Sequence, residues 1–416
     1  MSKVKDLGLA EEGGMKIGLA ENQMPALMEI RREFSKTKPF KDIAIGCTLH
    51  ITKETAVLVE TLKAGGARVV LSPSNPLSTQ DDVAAALAEK GIDVFGWRGI
   101  NDKEYYECLQ EVIKFKPNIL IDDGADLIST VHKEGREHVE NILGSMEETT
   151  TGVIRLKAME KDGVLKFPVI AVNNAQTKML LDNVFGTGQS TIDGILRATN
   201  ILLAGKTFVV CGFGNCGRGV AKRAEGMGCS VVVTETDPRK AIQAFYEGYR
   251  VMPLTEAAKI GDIFVTVTGN ENVIKKEHIE KMKSGAILAN SGHFNVEIDI
   301  KSLEKMAEHR KTVRPNLDEY VMHDGRKIYL IGEGRLANLA AAEGHPSSVM
   351  QTSFSVQALC AEYIIKNKGN LSSRVYEVPE EIDVRVAELA LSGYGIKIDK
   401  LTPEQEKYLS SWKFGT

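Results

Sequence analysis

The sequence lacks long apolar runs and the cysteine spacing of metal sites. No run approaches the roughly 18 uncharged apolar residues of a membrane span, and the first residues contain no apolar signal core. We therefore expect a cytoplasmic protein with no membrane partner. The six cysteines, at positions 47, 108, 211, 216, 229 and 360, are not spaced like metal ligands, so we expect reduced thiols and no metal site.

The sequence also lacks an excess of charge of one sign. Its formal net charge is −4, its isoelectric point is near 6.1, and its lysines and arginines are scattered among acidic residues. This distribution excludes the basic stripe of a nucleic-acid-binding protein. At 416 residues, with 43% hydrophobic and 26% charged residues, the chain has the composition of a globular protein of two or three domains.

A glycine-rich motif lies in the middle of the chain. Gly212, Gly214 and Gly217 fit the pattern G-x-G-x-x-G. In this pattern the first glycine permits a tight turn, the second lets the backbone approach a pyrophosphate, and the third lets a helix pack on a strand. Residues 206–210 predict a strand before the motif, residues 219–227 a helix after it, and residues 230–235 the next strand. This context favours a dinucleotide site over a purely structural turn.

Glu235 ends the last of these strands, close to the spacing expected for a ribose contact. A carboxylate at that point favours NAD over NADP, because the 2′-phosphate of NADP would face a negative charge. Arg239 and Lys240 lie nearby and keep NADP as the alternative.

The N-terminal part of the chain alternates apolar runs with helical patterns. Strands are predicted at 42–47, 68–71, 93–96 and 118–122, with helices at 54–64, 80–90 and 103–115. Such repetition is typical of a parallel α/β sheet, which binds ligands beyond the carboxyl ends of its strands. The polar residues that follow these ends are His50, Thr52, Asn75, Ser78, Asp122, Asp123 and Asp126.

The next part of the chain adds further acids and a helical pair. Glu147, Glu148 and three threonines precede a helix whose start the threonines are placed to cap. After a strand at 168–172, Lys178 and Asp182 are four residues apart and therefore share one face of a helix. The segment 186–188 predicts a hinge into a helix at 190–200.

The remaining elements define the domain organisation. Strands at 263–268 and 286–290 end in loops, an amphipathic helix at about 347–365 returns to the first sheet, and a charged helical tail follows. We predict an α/β protein with two doubly wound parallel-sheet domains and a small helical C-terminal tail. The substrate domain comprises residues 1–183 and 345–380, the inserted Rossmann NAD domain residues 184–344, and the tail residues 381–416.

Each polar candidate has a catalytic and a structural interpretation. His50 is either a general acid or base, or a histidine bonded at a strand end. Asp122 and Asp123 are either a base with its orienting partner or acids that cap the next turn. Lys178 and Asp182 either position ribose hydroxyls or form an ordinary surface pair.

Two further pairs of residues also have both a functional and a structural interpretation. His293 and His345 follow glycines, where a histidine is either catalytic or merely fills a turn. Glu147 and Glu148 are either functional or solvated acids of a first helical turn. A nicotinamide cofactor implies hydride transfer, and the polar cluster on the other domain implies a small hydroxylated substrate in the cleft between them.

Several long segments form a specific combination: GCTLHITKETA (46–56), LSTQD (77–81), DDGAD (122–126), EETTTG (147–152), TK (177–178) with DN (182–183), GHFNVEID (292–299), EGRLANL (333–339) and GHPS (344–347). Together these segments resemble the S-adenosyl-L-homocysteine hydrolase family, from about residue 21 to about residue 409. A chance match on this scale is implausible.

The resemblance implies reversible hydrolysis of S-adenosyl-L-homocysteine to adenosine and L-homocysteine, with NAD reduced and reoxidised in each turnover. Oxidation of the 3′-hydroxyl to a ketone places the C4′ proton α to a carbonyl, so that a carboxylate can remove it. Homocysteine then leaves by elimination, water adds to the enone, and the stored hydride restores the alcohol.

The resemblance also implies residue roles. Asp123 resembles the C4′ base, and His50 the group that protonates the leaving sulfur and activates water. The other implied catalytic positions, around the ribose, are Glu148, Lys178, Asp182 and His293. The implied substrate-binding positions are Thr52, Glu54, Asn173 and His345. The implied cofactor-binding positions are Thr149, Thr150, Thr151, Asn183, Gly212, Gly214, Asn215, Gly217, Glu235, Lys240, Thr268, Asn270 and Asn338.

Three features depart from the family pattern. Thr187 stands where many members carry cysteine, so a thiol role at that position is lost, and Lys240 replaces an asparagine common near the NAD ribose. The resemblance implies a homotetramer with one tightly bound NAD in each subunit. Longer members reach the neighbouring cofactor with a C-terminal Lys…Tyr pair, which residues 410–416 lack.

Two other functions compete with this one. An NAD-dependent dehydrogenase of small hydroxy acids also carries its cofactor domain as an insertion, and His293 superficially supplies its histidine. The third hypothesis is a catalytically idle NAD-binding regulator, and the intact acid–base set argues against it.

Overall fold

The computed structural model describes residues 2–134 and 136–413. Its strands, in chain order, are β1 (Ala44–Thr48), β2 (Arg68–Ser72), β3 (Asp93–Val94), β4 (Ile119–Asp122), β5 (Gly144–Glu147), β6 (Val169–Ala171), β7 (Thr207–Cys211), β8 (Ser230–Thr234), β9 (Arg250–Val251), β10 (Ile263–Thr266), β11 (Ala286–Asn290), β12 (Ala307–Arg314), β13 (Leu317–Met322), β14 (Lys327–Ile331) and β15 (Val375–Glu377).

The α-helices are α1 (Ala10–Asn22), α2 (Pro25–Thr37), α3 (Lys53–Ala64), α4 (Asp81–Glu89), α5 (Asp102–Lys114), α6 (Asp126–Glu134), α7 (Arg136–Val139), α8 (Thr150–Lys161), α9 (Gln176–Leu181), α10 (Thr187–Thr199), α11 (Asn215–Gly226), α12 (Pro238–Tyr246), α13 (Leu254–Ile260), α14 (Lys276–Ile279), α15 (Ile300–Met306), α16 (Ala337–Ala340), α17 (Ser347–Lys366), α18 (Glu380–Gly393) and α19 (Pro403–Leu409). Shorter helical turns cover Leu7–Leu9, Val172–Asn174, Asp182–Gly186 and Gly332–Gly334.

Seven of the described strands form one parallel sheet, in the order β15-β6-β5-β4-β1-β2-β3. β1, β4, β5 and β6 are buried along their whole length. Parallel strands that helices cover on both faces are continuous apolar runs, which is why the sequence predicts most of them. β15 pairs with β6, so the chain returns to this sheet after the second sheet is complete.

The second sheet has the order β12-β13-β14-β11-β10-β7-β8-β9. It is parallel from β14 to β9, whereas β12 and β13 join it as antiparallel strands. The sequence does not predict this ribbon. β12 is exposed and mostly charged or polar, so it lacks the apolar alternation that marks a strand.

The predicted hinge at 186–188 lies in a helical segment, and its role as a hinge stays a prediction. The turn Asp182–Gly186 continues directly into α10. A Cβ atom on Gly188 would lie 2.6 Å from the carbonyl oxygen of Gly219, and one on Gly219 would lie 2.0 Å from that of Val184. The glycines therefore allow close packing of this helical segment against α11.

The predicted amphipathic helix at 347–365 is found as α17, but its middle is buried on all sides. Phe354, Val356 and Leu359 belong to the core of the first sheet, and α17 packs against α2, α3 and β5. The predicted amphipathic pattern is therefore wrong for the middle of α17, and α18 is a further helix that packs against it. Two polar residues of α17 face the candidate site described below.

The predicted charged tail contains α18 and α19, and its last three residues lie outside the described part. Across the described helices, none combines the length and apolar character needed to cross a membrane. All six cysteines are free thiols, as expected.

Candidate active site

A cavity of about 1410 Å³ lies where the carboxyl ends of the two sheets meet. Its lining residues follow β1, β4, β5 and β6 of the first sheet, and β7, β8, β10 and β11 of the second. Apart from Gly217, every predicted site residue lines it: His50, Thr52, Glu54, Asp123, Glu148, Thr149, Thr150, Thr151, Asn173, Lys178, Asp182, Asn183, Gly212, Gly214, Asn215, Glu235, Lys240, Thr268, Asn270, His293, Asn338 and His345.

The glycine motif has the geometry of a pyrophosphate turn. Gly212 has a φ of +108°, which favours glycine, and space is open around the position of a Cβ atom on Gly214. A Cβ atom on Gly217 would lie 2.0 Å from the carbonyl oxygen of Gly212, so this residue serves the close helix–strand packing. α11 begins at Asn215 and directs its N-terminal N–H groups at the cavity.

Glu235 provides a charged carboxylate at the end of β8. Its Oε2 accepts a bond from the Phe213 N–H (2.7 Å), and its Oε1 accepts bonds from Thr236 (2.7 Å) and Asp237 (3.1 Å). Burial would raise the pKa of Glu235, but these backbone bonds and the charge of Lys240 outweigh it and lower the pKa. The loop and this acid together fit the pyrophosphate and ribose of NAD.

Of the remaining predicted cofactor residues, Thr149 and Asn338 leave polar atoms free for a ligand. Thr149 precedes α8 but makes no side-chain capping bond, contrary to the predicted role of the threonines. Within the described part, Asn338 Oδ1 is buried and has no partner. Thr268 is held by Glu297, whose Oε2 accepts from its hydroxyl at 2.6 Å. An orphaned acceptor in the lining of the cavity is consistent with a cofactor site.

Asp123 lies at the centre of an acid–imidazole cluster. His50 Nε2 is 3.1 Å from Asp123 Oδ2, and His293 Nδ1 is 3.6 Å from Asp123 Oδ1. The other nitrogen of His50, Nδ1, lies 2.8 Å from Ser78 Oγ and 3.1 Å from Ser74 Oγ. Burial lowers the pKa of His50 to about 4, although the Asp123 charge opposes it, so the ring is neutral near pH 7.

Asp122 and Asp123 have separate roles in the structure. Asp122 accepts bonds from the backbone N–H groups of Asp123 and Ile128 at 2.9 and 2.8 Å, and therefore caps the start of α6. Burial raises the pKa of Asp122 to about 8. Asp126, a further candidate, pairs with Arg155 at 2.7 Å and does not line the cavity. Asp123 alone of these acids faces the cavity.

Lys178 forms the centre of a second cluster and is not a surface residue. Its Nζ donates to Asn173 Oδ1 and Asn183 Oδ1, both at 3.0 Å, and lies 3.7 Å from Asp182 and 3.8 Å from Glu148. Burial would lower the pKa of Lys178, but the two carboxyl groups raise it above its ordinary value. The side chain is therefore a buried ammonium group bracketed by two acids.

The two acids beside Lys178 differ in proton affinity. Burial would raise the pKa of Asp182, but Lys178 and a 2.9 Å contact with His345 lower it to about 2. Burial raises the pKa of Glu148 to about 7, against the charge of Lys178. Ser353 and Gln357 of α17 donate hydrogen bonds to Glu148. Glu148 is thus a carboxyl group that can exchange a proton near neutral pH.

Thr52 and Glu54 lie at the start of α3, with Glu54 1% exposed. Glu54 Oε1 accepts a 2.6 Å hydrogen bond from Ser347 Oγ. The apolar side chains of Leu49, Met350 and Phe354 line the same cavity. The cavity therefore offers apolar side chains and a buried carboxyl acceptor at the start of α3.

Family models match two long segments of the chain. The model described as S-adenosyl-L-homocysteine hydrolase matches residues 1–143, and the model for its NAD-binding domain matches residues 183–344. The chain is 63% identical to adenosylhomocysteinase of Aquifex aeolicus, over 99% of each chain. It is 60% identical to adenosylhomocysteinase of Sulfurisphaera tokodaii, over 100% of this chain and 99% of the relative.

The chain belongs to the S-adenosyl-L-homocysteine hydrolase family. NAD is accordingly its cofactor, as the glycine motif and Glu235 predict. A further relative, 57% identical over the full length of both chains, is named S-inosyl-L-homocysteine hydrolase, from Methanocaldococcus jannaschii. Membership of this family removes the support for the hydroxy-acid dehydrogenase and for the idle regulator.

Thr187, which departs from the family pattern, has two polar neighbours in the structure. Thr187 Oγ1 lies 3.6 Å from the sulfur of Cys216 and 3.4 Å from His345 Nε2. A thiol is therefore present beside Thr187, on α11. Burial raises the pKa of Cys216 above its ordinary value, which keeps the thiol protonated.

Several supporting residues were not predicted from the sequence. Ser353 and Gln357 are four apart on a largely apolar helix, and that spacing is a signal that could have identified them. Asn290 holds the loop of His293 by bonding to the carbonyl oxygens of Gly292, Phe294 and Gly334. In the residues described, the cluster His50, Asp123 and His293 has the ligand types and spacing that could hold a metal ion. The predicted absence of a metal stays a prediction.

Proposed function

We propose that the chain catalyses the reversible hydrolysis of S-adenosyl-L-homocysteine to adenosine and L-homocysteine. The observation that carries the proposal is the arrangement of two clusters in one cavity, with Asp123 and His50 on one side and Lys178, Asp182 and Glu148 on the other, beside the glycine loop. The names of the relatives and their nearly complete coverage support it.

The ribose cluster is suited to the 3′-hydroxyl. When bound, NAD supplies oxidation of that hydroxyl to a ketone and its reduction at the end of turnover. Glu148, with a pKa of about 7, accepts and returns the hydroxyl proton. The Lys178 ammonium group stabilises negative charge on the 3′-oxygen, and Asp182 fixes the position of Lys178.

The Asp123 cluster is suited to the C4′ proton and the leaving sulfur. Asp123 removes the C4′ proton that the 3′-ketone acidifies, and the electron pair expels the homocysteine sulfur from C5′. The sulfur takes a proton from the Asp123–His50 pair, whose 3.1 Å contact lets the two groups share it. Water then adds at C5′, its proton passing to this pair, which returns a proton to C4′. His293 lies beside Asp123 and is proposed to contact the sugar.

Thr52, Glu54, Asn173 and His345 are proposed to bind the substrate. The Glu54 carboxyl group supports adenine, since a carboxyl acceptor suits the exocyclic amine of adenine better than the carbonyl oxygen of hypoxanthine. The relative named for S-inosyl-L-homocysteine makes this distinction worth measuring.

We also propose the domain division given above, and a cytoplasmic homotetramer with one NAD in each subunit. The two sheets, the return of β15 and the family models support the division. The residues proposed to bind NAD are the thirteen predicted positions, with Gly217 acting through packing. The assembly follows the family resemblance.

The proposed function is tested by incubating the purified holoenzyme with homocysteine and either adenosine or inosine, with no NAD added. S-adenosylhomocysteine should form catalytically, with only transient reduced nicotinamide. Faster formation of S-inosylhomocysteine would contradict the role of Glu54, and failure to form either thioether would refute the proposed reaction.

Glu235→Gln should weaken NAD binding about tenfold and reduce the preference for NAD over NADP, because a hydrogen bond to a charged acceptor is worth about 1–1.5 kcal/mol more than one to a neutral acceptor. The amide oxygen can still accept the Phe213 N–H, whereas the amide nitrogen cannot accept the bonds from Thr236 and Asp237. Calorimetric titration of the apoenzyme with NAD and NADP measures both affinities. An unchanged preference would remove Glu235 from the ribose contact.

A further inference from the structure

Glu147 is a buried acid to which the proposed reaction assigns no role. It ends β5 and pairs in register with Asp122 at the end of β4. The side chain is fully buried and does not line the cavity. It therefore lies beneath the two loops that carry Asp123 and Glu148.

One oxygen of Glu147 joins these two loops. Oε1 accepts a hydrogen bond from the Gly124 N–H at 2.8 Å and another from the Thr149 N–H at 2.9 Å. Gly124 follows Asp123, the proposed C4′ base, and Thr149 follows Glu148, the proposed ribose acid. Glu147 Oε2 is buried and has no partner among the described residues.

The surrounding packing confines this carboxyl group. A Cβ atom on Gly152, in α8, would lie 2.2 Å from the carboxyl carbon of Glu147, so only glycine leaves room for it. Gly124 has a φ of +106°, and a Cβ atom there would lie 2.2 Å from His293 Nε2. The Glu147 carboxyl group thus packs against α8, and the Asp123 loop that it holds packs against the His293 loop of the other sheet.

The charge state of Glu147 fits a role in positioning. Burial, with the neighbouring charges of Asp122 and Asp123, raises the pKa of Glu147 well above its ordinary value. A neutral acid beneath Asp123 adds no negative charge beside the base. The functional part of Glu147 is then the acceptor oxygen and not the charge.

We propose that Glu147 is a positioning residue whose single acceptor oxygen fixes the C4′ base Asp123 relative to the ribose acid Glu148 and the first cofactor threonine, Thr149. The inference rests on the proposed function. Displacement of a reacting group by about 1 Å costs about 10²-fold in rate, so loss of this contact should slow proton removal at C4′ more than oxidation at C3′.

The test compares Glu147→Gln with Glu147→Leu in the holoenzyme. Gln retains an acceptor oxygen, whereas Leu removes both bonds. We expect the Gln variant to remain within a few-fold of the original in turnover. We expect the Leu variant to retain NAD and to form reduced nicotinamide with adenosine, yet to exchange the C4′ proton about 10²-fold more slowly in D₂O.

Two further variants separate positioning from stability. Gly152→Ala places a methyl group against the Glu147 carboxyl and should reproduce the slow C4′ exchange, even if Glu147→Leu fails to fold. Asp318→Leu is the matched control, since Asp318 is a buried acid that binds Arg310 and Thr312 in the ribbon and does not line the cavity. It should lower the melting temperature without slowing C4′ exchange.

Two results would overturn the inference. If Glu147→Leu and Gly152→Ala lower only the melting temperature, Glu147 is merely structural. If Glu147→Gln slows C4′ exchange as much as Glu147→Leu, the proton and not the acceptor oxygen is required. Failure of the unmodified enzyme to exchange the C4′ proton at all would instead refute the proposed function.

Discussion

Asp123→Asn should oxidise the 3′-hydroxyl of adenosine but turn over about 10²- to 10⁴-fold more slowly, the contribution of a general base to a proton transfer. Asparagine keeps the shape of the side chain and an oxygen for the contact with His50, but it cannot take the C4′ proton. Reduced nicotinamide should therefore accumulate. Stopped-flow absorbance with adenosine measures its formation, and release of homocysteine from S-adenosylhomocysteine measures turnover.

Asp126→Asn is the matched control for this substitution. Asp126 lies three residues further along, pairs with Arg155 and does not line the cavity, so its turnover should stay within a few-fold. An Asp123→Asn enzyme with unchanged turnover would remove Asp123 from the role of base. Loss of 3′ oxidation in the same variant would show that Asp123 acts in the oxidation and not in removal of the C4′ proton.

Lys178→Gln should abolish most of the 3′ oxidation and lower the free energy of unfolding by about 3–5 kcal/mol, because removal of one partner leaves buried acids without a counter-charge. The acids affected are Asp182 and Glu148, both almost fully buried. Binding of adenosine without formation of reduced nicotinamide would show the chemical effect. Chemical denaturation of the holoenzyme measures the change in stability.

Lys366→Gln provides the comparison for the stability effect. Lys366 pairs with Glu362 on the exposed side of α17, with 65% of its side chain exposed, and such pairs contribute about 0–1 kcal/mol. Lys178→Gln with wild-type formation of reduced nicotinamide would contradict its role at the 3′-oxygen. Equal stability losses in the two variants would contradict the claim that Lys178 is a buried ammonium group that stabilises two buried acids.

The predictable parts of the fold are those whose strands are continuous apolar runs. β1, β4 and β11 have that character, and the helices between such strands have regular apolar spacing. The ribbon β12–β13 was not predicted because its outer strand is exposed and charged. The middle of α17 is buried on every side, which its polar residues Ser353 and Gln357 conceal in the sequence.

The position of the site was predictable, but the roles of the individual residues within it were not. Parallel strands bring His50 and Asp123 to one edge of a sheet, and the structure joins them at 3.1 Å. Successive side chains leave a strand end in opposite directions. In each acid pair, therefore, one member faces the cavity and the other faces the backbone, and the sequence does not show which.

Contacts between the two sheets could not be derived from the sequence. His293 of the second sheet reaches Asp123 of the first through packing of elements that are far apart in the chain, and His345 reaches Asp182 in the same way within the proposed substrate domain. Local patterns specify the strand ends but not how the two sheets face each other. The roles of these histidines remain predictions, because the variants described above change their acidic partners and not the histidines.

The most direct test of the internal redox cycle uses adenosine that carries deuterium at both C3′ and C4′, incubated with homocysteine and the holoenzyme in ordinary water. The S-adenosylhomocysteine formed should keep the deuterium at C3′, because the same hydrogen is removed and returned, and should carry hydrogen at C4′. Retention of both deuterium atoms would indicate direct displacement without a ketone, and loss of the C3′ deuterium would show that the hydrogen is not returned; either result would contradict the account.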